Sequence, residues 1–295
     1  MPTIWLFNAH HDSRIKPAIG GQLKKISNHV LSLHNPWAID SVFMGKIYTA
    51  MIATMAALTY PELITLQAPF NGDYEGLVIR LLLPLTFAPF LIYRIYFIKN
   101  LSSIYFNRLT KKIYCQHSDK LLTLDWPTMA GGLFSRTEFG GASFSTSHAL
   151  ALAPYRADGT LHLKDGFWID SNEPTDASVK HVAEVWEYLR HFMDHGPDKL
   201  PPPGEPNWWH KPWHAICLPP AEAWRHYAPW RTGEPGEMQG KKNWQLPFWA
   251  VLFPYNLTVA LCWYVICRTF NVRAAPPPPE AFEEAPMPAK KRKRR

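Results

Sequence analysis

Signatures of chemistry are what this chain has least of. Its four cysteines, Cys115, Cys217, Cys262 and Cys267, form no CxxC pair, and two of them fall in one apolar run. That spacing supports neither a disulfide framework nor a zinc site. Gly141-Ala142-Ser143-Phe144-Ser145 ends on serine where a nucleophile elbow needs glycine, and Gly131-Gly132-Leu133-Phe134-Ser135 lacks the lysine of a phosphate loop. No carboxylate pair, Cys/His pair or metal-ligand spacing stands out, so no catalytic residue, metal or cofactor is expected. His10 and His11 are adjacent but have no carboxylate or thiol beside them. Met1 to Ser13 lack a basic stretch followed by an apolar core, so a cleavable signal peptide is not expected.

Net charge is also scarce outside one place. Of the formal +7, Lys290, Lys291, Arg292, Lys293, Arg294 and Arg295 supply six, which leaves the rest close to neutral. A basic fold that grips nucleic acid is therefore not indicated. The terminal run itself fits an import signal, a nucleic-acid patch or an anionic-lipid contact. With membrane segments upstream, lipid contact by these six residues fits best. The stretch 273–295 is proline-rich and charged, and reads as a disordered basic tail.

What the chain does have is long apolar runs. Val42 to Tyr60 and Leu81 to Ile98 are each 18 or 19 residues long, close to the roughly 20 that cross a bilayer core. Neither shows an amphipathic stripe. Residues 42–98 read as a transmembrane helical hairpin. Arg14, Lys16, Lys24, Lys25 and Lys46 precede or open it, and Arg94, Lys99, Arg108, Lys111 and Lys112 close it. The connector from Pro61 to Gly76 carries acids and no Lys or Arg. Positive-inside bias puts both flanks in the cytoplasm. Lys46 and Arg94 are expected to snorkel toward headgroups. Ala53, Thr54 and Ala57 offer a small face for close helix approach. Pro84 and Pro89 should bend the second helix.

In residues 1–41, Leu23, Ile26, Val30 and Leu33 recur at helical spacing, which suggests a short amphipathic helix on the inner leaflet or on the soluble domain. Residues 99–200 read as a cytoplasmic antiparallel β domain. Ser103–Asn107 and Lys112–Gln116 form a hairpin, Leu121–Trp126 a third strand, and Gly131-Gly132 a loop. Ala142–Pro154, Thr160–Asp165 and Gly166–Asp170 supply further strands. A helix follows, capped by Thr175 or Asp176 and ended by Gly196-Pro197. Val179, Val182, Trp186, Leu189 and Met193 share its apolar face. His181, Glu184, Tyr188, His191 and His195 share a face expected to be solvated. A strand meander closed by one amphipathic helix is the pattern of a pleckstrin-homology-like (PH-like) barrel.

Residues 201–243 read as a Pro/Trp-rich linker. Trp208, Trp209, Trp213, Trp224 and Trp230 suit either the headgroup belt or packing under the β domain, and they form the candidate interface. The third apolar run lies in 244–272 and is interrupted at Pro254 and Asn256. A full crossing there would put the basic tail outside, so a non-spanning, membrane-associated segment is preferred. The fold class expected is thus an α+β membrane protein: a transmembrane hairpin plus a cytoplasmic β domain with one C-terminal amphipathic helix.

The hairpin, the strand opening Ile104-Tyr105-Phe106-Asn107-Arg108 with Lys111-Lys112-Ile113-Tyr114, then Leu124-Asp125-Trp126 and a late Trp-rich apolar run carry a resemblance. Over about 35–275 the chain resembles an uncharacterised family of proteobacterial membrane proteins encoded near type VI secretion effector and spike genes. The proline run Pro276–Pro279 and the basic tail depart from that pattern. The resemblance implies a multi-pass inner-membrane protein, N-terminus cytoplasmic. It would be a non-enzymatic immunity or accessory factor whose partners are membrane lipid and a toxin or secretion component. The alternative is a lipid-binding or scaffolding membrane protein unrelated to toxins.

Overall fold

The computed structural model describes residues 3–9, 14–64, 74–118, 120–139, 144–156, 159–161, 164, 166–170, 179–204 and 207–283. His10, His11, the connector 65–73, Gly141 to Ser143, Thr175, Asp176 and Lys290 to Arg295 lie outside them. The chain divides into two compact units: Met1–His34, Ser102–Gly204 and Pro276–Arg295 form one, Asn35–Leu101 and Glu205–Ala275 the other.

The first unit is α+β, with two antiparallel sheets. The five-stranded sheet runs β2 (Leu23–Ile26), β3 (Val30–Leu33), β4 (Ile104–Asn107), β5 (Lys112–His117), β6 (Lys120–Asp125) in chain order. Strands β4 to β6 form where the β-branched and aromatic residues predict them. Asn107 turns the β4–β5 hairpin by accepting the backbone N–H groups of Leu109 and Thr110 at 2.8 and 3.1 Å. The helix expected over Leu23–Leu33 is instead the β2–β3 hairpin. Two four-residue strands around a short turn place Leu23, Ile26, Val30 and Leu33 at the same spacing. Ser27 settles the choice locally: its hydroxyl donates to the Val30 carbonyl at 2.8 Å and accepts the Val30 N–H at 3.1 Å.

Leu33 pairs with Ile104 and Val30 with Asn107. The chain thus leaves the sheet at Leu33 and rejoins it directly opposite, so 35–101 is an insertion into a β ladder.

The other sheet runs β1 (Thr3–Asn8), β7 (Met129–Phe139), β8 (Phe144–Pro154), β9 (Phe167–Asp170). Gly131 and Gly132, expected in a loop, lie inside β7. A Cβ on Gly131 would sit 2.6 Å from the Trp186 ring, and one on Gly132 would sit 2.8 Å from Trp5. The glycines make room for indoles in a strand. Of the strand expected over Thr160–Asp165, the described part shows one isolated bridge, Tyr155 to Leu161.

Helix α3 (Val179–His195) packs on β7 and β8. Trp186 is its anchor, stacked at 5.1 Å on Trp126 and 5.7 Å on Phe7. Val182, Leu189 and Met193 are buried beside it, while Val179 is exposed. The face expected to be solvated is partly sealed: His181 and Tyr188 are buried, as are the neighbouring Glu187 and Arg190. The cause is tertiary. The Ala18 N–H bonds the Glu184 carbonyl at 3.2 Å, and the Lys111 ammonium reaches the Met193 carbonyl, so chain covers this side of the helix as well. Glu187 and Arg190 pair at 2.8 Å. Gly196, at a φ of 84°, ends the helix.

The tail expected to be disordered is partly docked. A short 3-10 turn over Pro279–Phe282 seals β4 and β5. Asn107 donates to the carbonyls of Ala281 and Glu283 at 3.1 and 2.9 Å, and Ala281 is fully buried with Val30, Tyr105 and Tyr114.

The second unit is helical. Asn35 and Pro36 start α1 (Pro36–Ile64), with the Asn35 side chain accepting the Trp37 N–H at 3.0 Å. Helix α2 (Tyr74–Lys99) contains Pro84 and Pro89. The helices are antiparallel: Trp37 lies 6.5 Å from Phe97, and Tyr48 lies 6.3 and 5.8 Å from Phe87 and Phe90. Two short helices, α4 (Lys211–His214) and α5 (Pro220–Tyr227), precede α6 (Leu246–Thr269). Among the described residues, two helical segments, Pro36–Tyr60 and Asn243–Thr269, are long and apolar enough to cross a membrane, and only 28% and 17% of their most apolar stretches are buried.

Of the small residues on α1, Ala53 is half-buried. Thr54 and Ala57 are exposed. The tight contact is at Gly45, where a Cβ would lie 2.6 Å from Trp263. Lys46, expected to snorkel, is half-buried and donates to the Pro212 carbonyl. The half-buried Arg94 has its guanidinium carbon 5.8 Å from the Tyr93 ring centre.

Candidate functional site

Residues 207–242, read from sequence as a linker, fold around a cluster of buried charge. Asn207 starts it, its side chain accepting the Trp209 N–H at 3.0 Å. Trp208 then enters the interior, 1% exposed, with its ring stacked 4.2 Å from His226 and edge-on to Trp249 at 5.4 Å. Glu234 holds two partners: Lys211 at 2.7 Å and Nδ1 of His226 at 3.3 Å. Glu237 accepts the backbone N–H groups of Thr232 and Gly233 at 2.9 and 3.1 Å and lies 3.7 Å from the sealed ammonium of Lys241. Lys241 donates to the Arg225 carbonyl at 2.7 Å and sits 5.8 Å from the Trp208 ring centre.

Burial pushes His226 down to about 4; the Glu234 carboxylate opposes that, and Lys211 and Lys241 add to it. Burial raises the Glu234 carboxyl, but Lys211 and His226 outweigh it and leave it below the ordinary carboxylate value. Glu237 is likewise raised by burial and brought lower by the Thr232 and Gly233 N–H groups and Lys241. With Glu234 ionised and His226 neutral, Nδ1 carries the ring proton toward Glu234. His226 makes no hydrogen bond to a hydroxyl or thiol among the described residues. The cluster's charges satisfy one another and fix one arrangement of the segment. The indole N–H of Trp208 is buried and has no hydrogen-bond partner among the described residues.

The five tryptophans of the expected interface separate into three groups. Trp208 is core. Trp209 and Trp213 are half-buried, Trp209 at 5.7 Å from Trp249 and Trp213 edge-on to Phe43 at 5.3 Å. Trp224 and Trp230 are exposed by 45% and 51% and both pack on Phe253, at 4.9 and 6.0 Å. The charged partners escaped sequence reading because they are scattered among prolines and glycines. The Glu237–Lys241 spacing of four is the local signal that could have found one of these pairs.

Two apolar features complete the helical unit. A groove of about 400 Å³ lies between α1, α2 and α6, walled by Thr49, Ile52 and Ala53, by Leu91, and by Leu261 and Val265. Such walls suit a hydrocarbon chain or an apolar side chain. Along α6, Phe248, Val251, Tyr255, Thr258, Leu261 and Val265 form one continuous exposed stripe, while Trp249, Ala260, Trp263 and Cys267 are buried on the opposite side. Among the described residues, no group of three or more His, Cys, Asp or Glu side chains could hold a metal ion.

These features define an α+β protein whose antiparallel β unit is interrupted twice by helical segments, with two helices of membrane-crossing length among the described residues. The chain belongs to a family of unknown function (DUF6708), whose model matches residues 81–284. No curated protein and no solved structure matches it.

Proposed function

We propose that the protein is a non-enzymatic, membrane-anchored interaction module of a bacterial inner membrane. In this reading α1 and α2 cross the bilayer as a hairpin, and the β unit, a PH-like barrel, is presented in the cytoplasm to a protein partner. The observation that carries it is the insertion of 35–101 between the paired residues Leu33 and Ile104. A segment that leaves and re-enters a ladder at one point must make an even number of crossings. Helix α1 is of crossing length, and α2 runs antiparallel beside it with Leu82, Leu85, Phe90 and Ile92 exposed, which meets that condition. The basic flanks and the acidic connector support a cytoplasmic β unit. Strand β1 is an edge strand that exposes Ile4 and Leu6 by 56% and 55%, a surface suited to a protein partner. The resemblance to membrane proteins encoded beside type VI secretion genes supports a toxin or secretion component as that partner.

Reporter fusions test the anchor. A fusion after Asn71 should report the exterior and one after Lys120 the cytoplasm, and cytoplasmic signal at both would refute the hairpin. For the partner, a chain carrying Ile4→Lys and Leu6→Lys should fractionate with membranes as before. It should lose capture of the toxin encoded beside it, and a locus without toxin or secretion genes would remove that assignment.

A further inference from the structure

The two insertions into the β unit have different consequences for a membrane. The first, 35–101, contains two long helices. The second leaves the β unit at Gly204 and returns at Pro276. The return is secured by the hydrogen bonds of Asn107 to Ala281 and Glu283 and by the burial of Ala281. A β unit that folds from all three of its segments occupies one side of a membrane. The second insertion must therefore also cross an even number of times. Among its described residues, α6 supplies the single helix of membrane-crossing length. The longest helix in 207–242 is the eight-residue α5, about 12 Å at 1.5 Å per residue. That segment contains Lys211, Glu222, Arg225, Arg231, Glu234, Glu237, Lys241 and Lys242, and irregular charged backbone does not span hydrocarbon. The even number is zero.

The packing of α6 gives an independent argument. Residues 207–242 accompany it along nearly its whole length. Trp249 donates to the Gly240 carbonyl at 3.1 Å, Phe253 meets Trp224 at 4.9 Å, and Trp263 donates to the Ile216 carbonyl at 2.6 Å. The exposed Arg225, Arg231 and Lys242 belong to this companion segment. An α6 standing upright would carry those cations through the bilayer core, at a steep cost. Its 24 residues, about 36 Å long, would suffice for a crossing, so length does not decide the question.

We infer that α6 is not a third crossing but docks in the plane of the membrane, with its Phe248–Val265 stripe seated among the acyl chains of the leaflet facing the β unit. The inference rests on the hairpin reading given above. The exposed rings of Trp224, Trp230 and Trp244 suit the headgroup boundary. The exposed cations Arg225, Arg231, Lys242 and Arg268 suit anionic lipid beside it. The stripe is continuous and uncharged from Phe248 to Val265, which fits a helix lying at constant depth.

Depth measurement separates the possibilities. A full-length chain with its four cysteines replaced would carry one fluorophore at a time, on Phe248→Cys, Tyr255→Cys, Val265→Cys or, in α2, Leu85→Cys. Each would be reconstituted in phosphatidylethanolamine–phosphatidylglycerol vesicles brominated at shallow or deep acyl positions. The three α6 labels should share one depth and be quenched about twofold more by shallow bromine, as for helices buried roughly 5–10 Å into the interface. The Leu85 label should show the reverse. Deep quenching at Tyr255 with shallow quenching at Phe248 and Val265 would overturn the inference and leave the hairpin standing, as would absent quenching at all three. Shallow or absent quenching at Leu85 would bring down the hairpin itself. Should the cysteine-free chain fail to fold, trypsin on intact spheroplasts bearing the wild-type protein separates the same two arrangements of α6. Residues 231–242 should survive there and be cut in inverted vesicles; cleavage from outside means that α6 crosses.

Discussion

In the β unit the largest side chains point inward. Trp126, Trp186 and Phe192 are all but sealed, and the sheets and α3 close around them. The helical unit seals Trp208 and Trp263 as well, but gathers more charge around its interior: Glu237 and Lys241 are buried, and Glu234 holds Lys211 and His226 beside Trp208, where the β unit has the Glu187–Arg190 pair on α3. Among the described residues, every large exposed apolar side chain except Ile4, Leu6, Tyr155, Val179 and Phe282 belongs to the helical unit. Water organises the first unit. The second keeps apolar surface outward and polar groups paired within, the arrangement that the membrane setting proposed above would call for. One chain thus carries two folding logics, and substitutions of similar size should have different consequences in each.

The largest effect is expected from Trp186→Ala. The ring is fully buried between Trp126, Phe7 and Gly131, and its removal should cost about 3–5 kcal/mol. Limited proteolysis of the β unit should accelerate sharply while membrane fractionation stays unchanged. Loss of membrane association along with the fold would show that the two units do not fold independently.

Acid should act on the other unit. His226 is depressed to about 4 by burial, against about 6.5 unfolded, so the unfolded chain takes up its proton first. The stability it contributes is fully present above pH 6.5 and is lost as pH falls to about 4; a shift of this size corresponds to roughly 3 kcal/mol. Glu234 and Glu237, held below their ordinary value, add stability that is present above about pH 4.5 and lost below it. Tryptophan emission from the Trp208 region should therefore change between pH 6.5 and 4, and His226→Phe should flatten the upper part of that curve. A transition that is the same in the variant would assign the acid sensitivity to the β unit.

Between these regions the sequence was legible to different degrees, for a physical reason. Strands β4 to β6 and the two long runs were readable because local composition decides them: β-branched and aromatic residues for the sheet, unbroken apolarity for the helices. Leu23–Leu33 was not, since two short strands around Ser27 leave the same spacing as a helix. Gly131 and Gly132 were misleading because what they accommodate, Trp186 and Trp5, lies far off in sequence. The buried side of α3 was missed for the same cause: the cover near Ala18 and the Lys111 contact arrive from distant segments. The cluster from Lys211 to Lys241 was least legible of all, because prolines and scattered charges look like a solvated linker until they are folded against α6.

A smaller loss, about 1–3 kcal/mol, is expected from Gly45→Val, whose side chain would meet the Trp263 ring at 2.6 Å or closer. Loosening of α6 from α1 should show as faster proteolysis after Arg268 in detergent, with the β unit intact.

The smallest effect is expected from Ala57→Leu. Sequence makes Ala57 part of a close-packed helix face, yet it is exposed on α1, and the contact of α1 with α6 is made at Gly45 instead. If Ala57 faces acyl chains, leucine exchanges one apolar surface for another and the change should stay within about 0.5 kcal/mol. Thermal denaturation in lipid nanodiscs of wild type, Gly45→Val and Ala57→Leu would rank the three. A penalty at Ala57 equal to that at Gly45 would mean that something covers this face in the membrane. Since small residues let helix backbones approach closely, the cover would be another helix, from a second copy or a partner. Crosslinking through Ala57→Cys would then show which, by yielding either a homodimer or a heavier mixed species.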